Sequence, residues 1–210
     1  MKTGSGYLLI VEDDPDILKL LHTTLTFRGY RVVTARNGRE GLDIVRAKRP
    51  AIVIADIMMP KLDGFGLVHR LRLDPETCDI PVVFITATYV APEDKEFALN
   101  IGATRFIQKP VDLEAFLRTI AELLEGGLPI TIEPMHEINF YEGYRLRLET
   151  KLEQKNRQIA RDEHLLKTRD DLDTDSLQAS LRHALEEREE LLQLLDQVHE
   201  QIEKFDKPDG

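Results

Sequence analysis

Five short apolar runs, at residues 7–11, 31–35, 52–56, 81–86 and 105–108, recur through the first part of the chain, each separated from the next by enough residues for one helix. Between them apolar positions repeat at helical spacing: Ile17, Leu18, Leu20, Leu21 and Leu25, then Leu67, Val68 and Leu71, then Leu113, Phe116, Leu117, Ile120 and Leu124. Turn formers punctuate the series at Gly29, Asn37-Gly38, Asp63-Gly64, Asn100 with Gly102, and Lys109-Pro110. Apolar strands joined by helical crossovers predict a parallel sheet covered on both faces, a small doubly wound α/β domain.

After Gly126-Gly127 the pattern changes. Residues 128–134 carry two prolines around a β-branched run and read as a linker. From 135 to 206 the chain turns to Glu, Arg, Leu, Lys and Gln, all strong helix formers. At alternating steps of four and three, Leu177, Leu181, Ala184, Arg188, Leu191, Leu195, Val198, Ile202 and Phe205 give eight apolar positions in nine, a heptad seam. Leu185, Leu192 and Leu194 widen that seam, which suits a helical bundle as well as a coiled coil. The preceding seam of Tyr141, Arg145, Leu148, Leu152, Lys155, Ile159, Asp162, Leu166 and Arg169 has only five. Capping and turn residues cluster at 170–176, so two long helices with a break there are expected. The alternative is a single continuous helix whose Asp-rich middle is a solvated face. A leucine stripe of this kind should fold back on itself, dimerise, or do both.

Composition agrees with this division into residues 1–127, 128–134 and 135–206. Ten of the 12 glycines precede residue 128. Residues 1–127 hold 16 Lys and Arg against 18 Asp and Glu, net −2, and the remainder 12 against 20, net −8. Such an acidic tail argues against a sequence-independent grip on nucleic acid, which needs clustered cations. Cys78 is the single cysteine, so no internal disulfide framework exists. Neither an apolar leader nor a run long enough to span a bilayer is present, and a soluble cytoplasmic protein is expected.

The chemistry gathers at the strand ends. The first run ends in Glu12-Asp13-Asp14, the third in Asp56, the fourth in Thr86, and the fifth passes into Lys109-Pro110. Carboxylates at the ends of buried strands are costly unless they bind something, and a cation is the natural occupant. Open α/β sheets collect ligands at these ends. Asp14, just before Pro15, is suited to cap the first helix.

Taken together, Leu9-Ile10-Val11-Glu12-Asp13-Asp14, the stretch from Asp56 through Met58-Met59-Pro60-Lys61-Leu62-Asp63-Gly64, Ile85-Thr86-Ala87 and Lys109-Pro110 resemble the receiver domain of bacterial two-component response regulators. That resemblance covers rather more than half the chain. It implies a flavodoxin-like five-stranded sheet of order 2-1-3-4-5. It implies that Asp56 accepts a phosphoryl group, a role open to a carboxylate nucleophile, and that the chain is a signalling phosphoacceptor, assisting its own phosphorylation and dephosphorylation, rather than an enzyme. Glu12 and Asp13 match the pair that holds Mg²⁺, with Asp56 and the backbone carbonyl of Met58 as further oxygens. Lys109 and Thr86 would contact the phosphoryl oxygens. Phe106, three residues before the lysine, would turn inward behind Thr86 as the switch aromatic, altering the face of the fourth helix, fifth strand and fifth helix.

The implied donor is a histidine kinase or phosphotransfer protein. The tail would then be a homodimerising interaction module that relays the signal to an unidentified output protein. In the alternative, the tail is itself a histidine phosphotransfer bundle or a kinase-like dimerisation bundle, acting through His164, His183 or His199. None of these histidines lies in a motif matching such a domain, and neither nucleic acid nor membrane is expected as a partner.

Overall fold

A computed structural model describes residues 6–86, 92–126, 135–168 and 174–206, and the chain divides into two units, Met1–Met135 and His136–Gly210. The proposed linker at 128–134, Ala87 of the threonine motif, and residues 169–173 of the expected break lie outside the described residues.

In the first unit the elements alternate as β1 (Leu8–Val11), α1 (Pro15–Phe27), β2 (Val32–Ala35), α2 (Gly38–Ala47), β3 (Ile52–Ala55), α3 (Gly64–Leu73), β4 (Val82–Thr86), α4 (Pro92–Asn100), β5 (Arg105–Gln108) and α5 (Leu113–Gly126). All strand pairs are parallel, in the order β2-β1-β3-β4-β5, which is the flavodoxin-like arrangement expected. The strands begin and end within a residue of the apolar runs. β1, β3 and β4 are buried throughout, whereas β2 and β5 are the edges and carry exposed positions. That difference explains why the central strands read as continuous apolar runs and the outer ones do not.

Successive strand residues face opposite ways. Leu8, Ile10, Ile52, Ile54, Val83 and Ile85 meet Leu21 and Leu25 of α1 and Phe116 and Ile120 of α5. On the opposite face, Phe65 of α3 packs edge-on against Phe84 of β4, 5.7 Å between centroids, and against Phe97 of α4 at 5.2 Å. Leu20 and Leu124 share the helical spacing of their neighbours yet are exposed, since the covered stripes of α1 and α5 are narrower than their apolar ones.

Caps set the helix starts. Asp14 accepts from the N–H groups of Asp16 and Ile17 with Pro15 following, and Asn37 with Glu40 forms a reciprocal box at α2. Asp63, buried, caps α3 through Gly66 N–H at 2.8 Å.

The second unit is an antiparallel hairpin of α6 (Glu137–Thr168) and α7 (Thr174–Asp206), not one continuous helix. Tyr141 meets Phe205, Lys155 meets Glu187 at 2.6 Å, and Ser180 Oγ donates to Asp162 Oδ2 at 3.4 Å. Ala184, Leu191, Leu195 and Val198 of the α7 seam are buried. The α6 seam departs from its heptad at the start: Phe140 and Tyr144 are buried there, their rings 5.3 Å apart, while Arg145 pairs with Glu149 at 3.7 Å. Aromatic area outweighs the heptad register where the two compete. Among the described residues no helix is long and apolar enough to cross a membrane.

One group in α3 yields a pH test. His69 is 5% exposed, and burial, reinforced by the Arg70 cation, pulls its pKa from the ordinary 6.5 down to about 4. Across that window the unfolded chain takes up a proton that the folded chain excludes, so stability from this residue is present above 6.5 and is lost as pH falls. Relative to His69→Gln, wild type should lose about 2 kcal/mol between about pH 7 and about pH 4.5 in urea unfolding. A pH-independent difference would contradict a buried neutral imidazole.

Candidate functional site

β1 and β3 are the neighbours at which the sheet's winding reverses, and their carboxyl ends open into the crevice that such a reversal leaves. Val11 is registered with Ala55, which brings Glu12 and Asp56 side by side one residue beyond. Each of Glu12, Asp13 and Asp56 offers one carboxylate oxygen, all within 4.8 Å of one another. Glu12 is 1% and Asp56 7% exposed, whereas Asp13 is open to solvent.

Lys109 reaches this group from the far edge of the sheet. Its Nζ lies 2.9 Å from Glu12 Oε2 and 3.3 Å from Asp56 Oδ1. Its main-chain N–H donates to the carbonyl of Thr86 at 2.8 Å, fixing the β5 end to β4. The other Asp56 oxygen, Oδ2, accepts from Met58 N–H at 3.0 Å. Asp56 N–H itself donates to the Val11 carbonyl at 2.9 Å.

The charges are in conflict. Burial first, and then the Asp56 charge, push the Glu12 carboxyl up to about 7 despite Lys109. Burial also raises Asp56, with Lys109 opposing, and raises Asp13. For Lys109 burial acts downward, but the attraction of Asp56 and Glu12 prevails and leaves it raised. One ammonium thus serves two buried carboxylates beside a third acidic group. This donor set fits a small hard cation, which takes carboxylate oxygens and keeps several waters. Glu12, Asp13 and Asp56 are the residues that would hold it.

Thr86 ends β4 and is fully buried. Ala55 is registered with Phe84, so Thr86 stands two residues further along the strand adjoining Asp56. Phe106 is registered with Phe84 on the edge strand and is half-buried. Glu12, Asp13, Asp56, Thr86 and Lys109 therefore lie at or just beyond strand ends on one edge of the sheet, whereas Phe106 sits two residues before the end of β5 and His164, His183 and His199 belong to α6 and α7. For Met58, its N–H is the group that engages Asp56.

Asp63 and Gly64 enter the sequence reading as a turn signal and as the end of the motif that begins at Asp56, with no role of their own. Gly64 nevertheless bears directly on the site. Its N–H donates to the Ile57 carbonyl at 2.8 Å. A Cβ at Gly64 would stand 2.3 Å from the carbonyl oxygen of Asp56, 2.8 Å from Phe84 Cε1 and 2.9 Å from Ile57 Cα. Glycine is required by this close approach of backbone to backbone. The spacing of Gly64 from Asp56 was available in the sequence, but the contact appears only once the loop closes.

A five-stranded 2-1-3-4-5 sheet with an acidic group and a lysine at its carboxyl edge defines a class: the chain belongs to the response regulator receiver domain family, whose profile matches residues 8–121. Among curated relatives, the "Probable transcriptional regulator ycf27" of Porphyra purpurea is 40% identical over 123 residues, which cover 57% of this chain and 49% of that protein. "Protein PilH" of Pseudomonas aeruginosa is 39% identical over 119 residues, 57% of this chain and 98% of PilH. The solved structure of Vibrio cholerae chemotaxis protein CheY4 is 31% identical with a TM-score of 0.53, covering 56% of this chain and 98% of CheY4. The chain thus spans about half the length of the ycf27 relative and nearly all of PilH.

Gly64→Ala should cost about 2 kcal/mol in urea unfolding, because backbone atoms rather than a flexible side chain oppose the new methyl. An unchanged midpoint would show that the Asp56 loop yields easily.

Proposed function

We propose that this chain is a response regulator that takes a phosphoryl group on Asp56 and passes the event to its helical hairpin. The observation that carries the reading is the pairing of a nine-tenths-buried Asp56 with Lys109, within reach of Glu12 and Asp13, at the reversal point of a receiver sheet. The donor is the phosphohistidine of a kinase or phosphotransfer protein. An Asp56 oxygen attacks phosphorus, the phosphorus–nitrogen bond breaks, and the imidazole leaves with a proton.

Lys109 already offsets part of the negative charge of the pocket, and its ammonium would move onto a phosphoryl oxygen. Bound at Glu12, Asp13, Asp56 and the Met58 carbonyl, Mg²⁺ would supply the remaining positive charge for an incoming anion. Thr86 would donate its hydroxyl to the phosphoryl group, and Phe106 would turn in behind it. The half-buried position of Phe106 supports this, since an edge-strand aromatic has room to move that a core aromatic lacks.

The output is the hairpin acting in the cytoplasm as a homodimerising contact. Folding back already buries the centre of the α7 seam, so the drive to pair a second copy comes from the apolar residues left outside, Leu146, Leu192 and Phe205. The net charge of −8 over residues 128–210 disfavours nucleic acid as its partner. A phosphotransfer role for His164, His183 or His199 has less support. All three are exposed, and His183 does no more than face Glu187 at 3.8 Å.

With a small acyl phosphate as donor, Asp56→Asn should abolish covalent labelling. Lys109→Ala should slow it about a hundredfold, and chelating Mg²⁺ should stop it. Undiminished labelling of Asp56→Asn would overturn the assignment. In sedimentation, wild type with Mg²⁺ and beryllofluoride should change its association state and Asp56→Ala should not. A wild-type monomer under every condition would remove the dimer.

A further inference from the structure

We propose that Arg72 is a positioning residue that clamps the corner between α4 and β5 in its resting place, and thereby sets how readily occupation of Asp56 moves that corner. The inference rests on the phosphoacceptor reading above. Arg72, in the last turn of α3, is 2% exposed. Its Nε and Nη2 both donate to the carbonyl of Gly102, at 3.1 and 2.7 Å, and its Nη1 is buried with no hydrogen-bond partner among the described residues. A buried guanidinium that holds a carbonyl with two donors and leaves a third unused is a poor route to stability. What it does achieve is a fixed distance between two elements.

Both ends of the clamp are tied to the site. α3 begins at Gly64, against the carbonyl of Asp56. Gly102 closes α4: its φ is +103°, its N–H bonds to Leu99 O, and the next two N–H groups bond to Ala98 O and Val82 O. The last turn of α4 has no basic residue of its own, so Arg72 brings a cation from another helix to the negative end of α4. Three residues after Gly102 comes Arg105, the start of β5, and then Phe106. Movement of Phe106 behind Thr86 must draw on this corner.

Glycine at 102 is doubly determined. A Cβ there would stand 2.7 Å from Arg72 Nε, and the positive φ disfavours any side chain. A side chain at 102 would therefore have to displace the guanidinium as well as accept a positive φ.

If the clamp holds the resting state, weakening it enlarges the population able to bind a phosphoryl analogue, and apparent affinity rises by the same factor. Beryllofluoride binding in Mg²⁺ should be about three- to tenfold tighter for Arg72→Met than for wild type, with Arg72→Lys, which keeps the charge but only one donor nitrogen, in between. Wild-type affinity in a folded Arg72→Met would reduce Arg72 to packing and overturn the proposal. Should Arg72→Met not fold, hydrogen exchange of the Thr104 amide, which bonds to Val82 O at 2.8 Å, decides the matter in Arg72→Lys. Exchange faster than wild type without beryllofluoride and equal to it when bound supports the clamp; equal exchange in both conditions overturns it. Failure of wild type itself to bind beryllofluoride would instead remove the phosphoacceptor reading.

Discussion

The structure of the site depends on one ammonium shared between two buried carboxylates. Lys109 stands 2.9 Å from Glu12 and 3.3 Å from Asp56, and its charge opposes the burial that raises the pKa of both acids. The balance is incomplete, as the Glu12 carboxyl at about 7 records. An additional cation is favoured by the surplus negative charge, and an incoming phosphoryl group by the positive charges that would then surround it. The sheet serves this arrangement by setting β1, β3 and β5 so that three strand ends, distant in sequence, meet. The Thr86 carbonyl and the Lys109 N–H lock the last of these into place.

Much of this was legible in the residues. Central strands buried on both sides must be apolar without interruption, so Leu8 to Val11 and Ile52 to Ala55 announced themselves, and the polar residues that ended them stood out as costly. Asp14 before Pro15 carried its capping role in the local chemistry alone. What the sequence could not show depends on contacts made at a distance. Gly64 reads as a turn residue, and only the closed loop reveals that the Asp56 carbonyl fills the space of its missing side chain. Arg72 carries no signal in the local pattern, and only the fold shows it buried with two donors on the Gly102 carbonyl. In α6 the seam shifted by one residue because Phe140 and Tyr144 bury more area than Tyr141 and Arg145 could.

The two units are held together differently. Rigid packing in the first concentrates charge at one edge, while the hairpin of the second keeps polar contacts within its seam, with Lys155 against Glu187 and Asp162 against Ser180. Polar pairs at a helical interface cost stability and fix register, so α6 and α7 are held in a defined alignment.

The central claim is that Asp56 forms an acyl phosphate. Incubating the intact chain with an acyl phosphate donor and Mg²⁺, reducing with borohydride, and locating the product by mass spectrometry tests it directly, because reduction converts an aspartyl phosphate to homoserine. The account predicts homoserine at position 56 and nowhere else. Homoserine at Asp13 or Glu12-derived product, or a phosphoryl group found only on His164, His183 or His199, would contradict it.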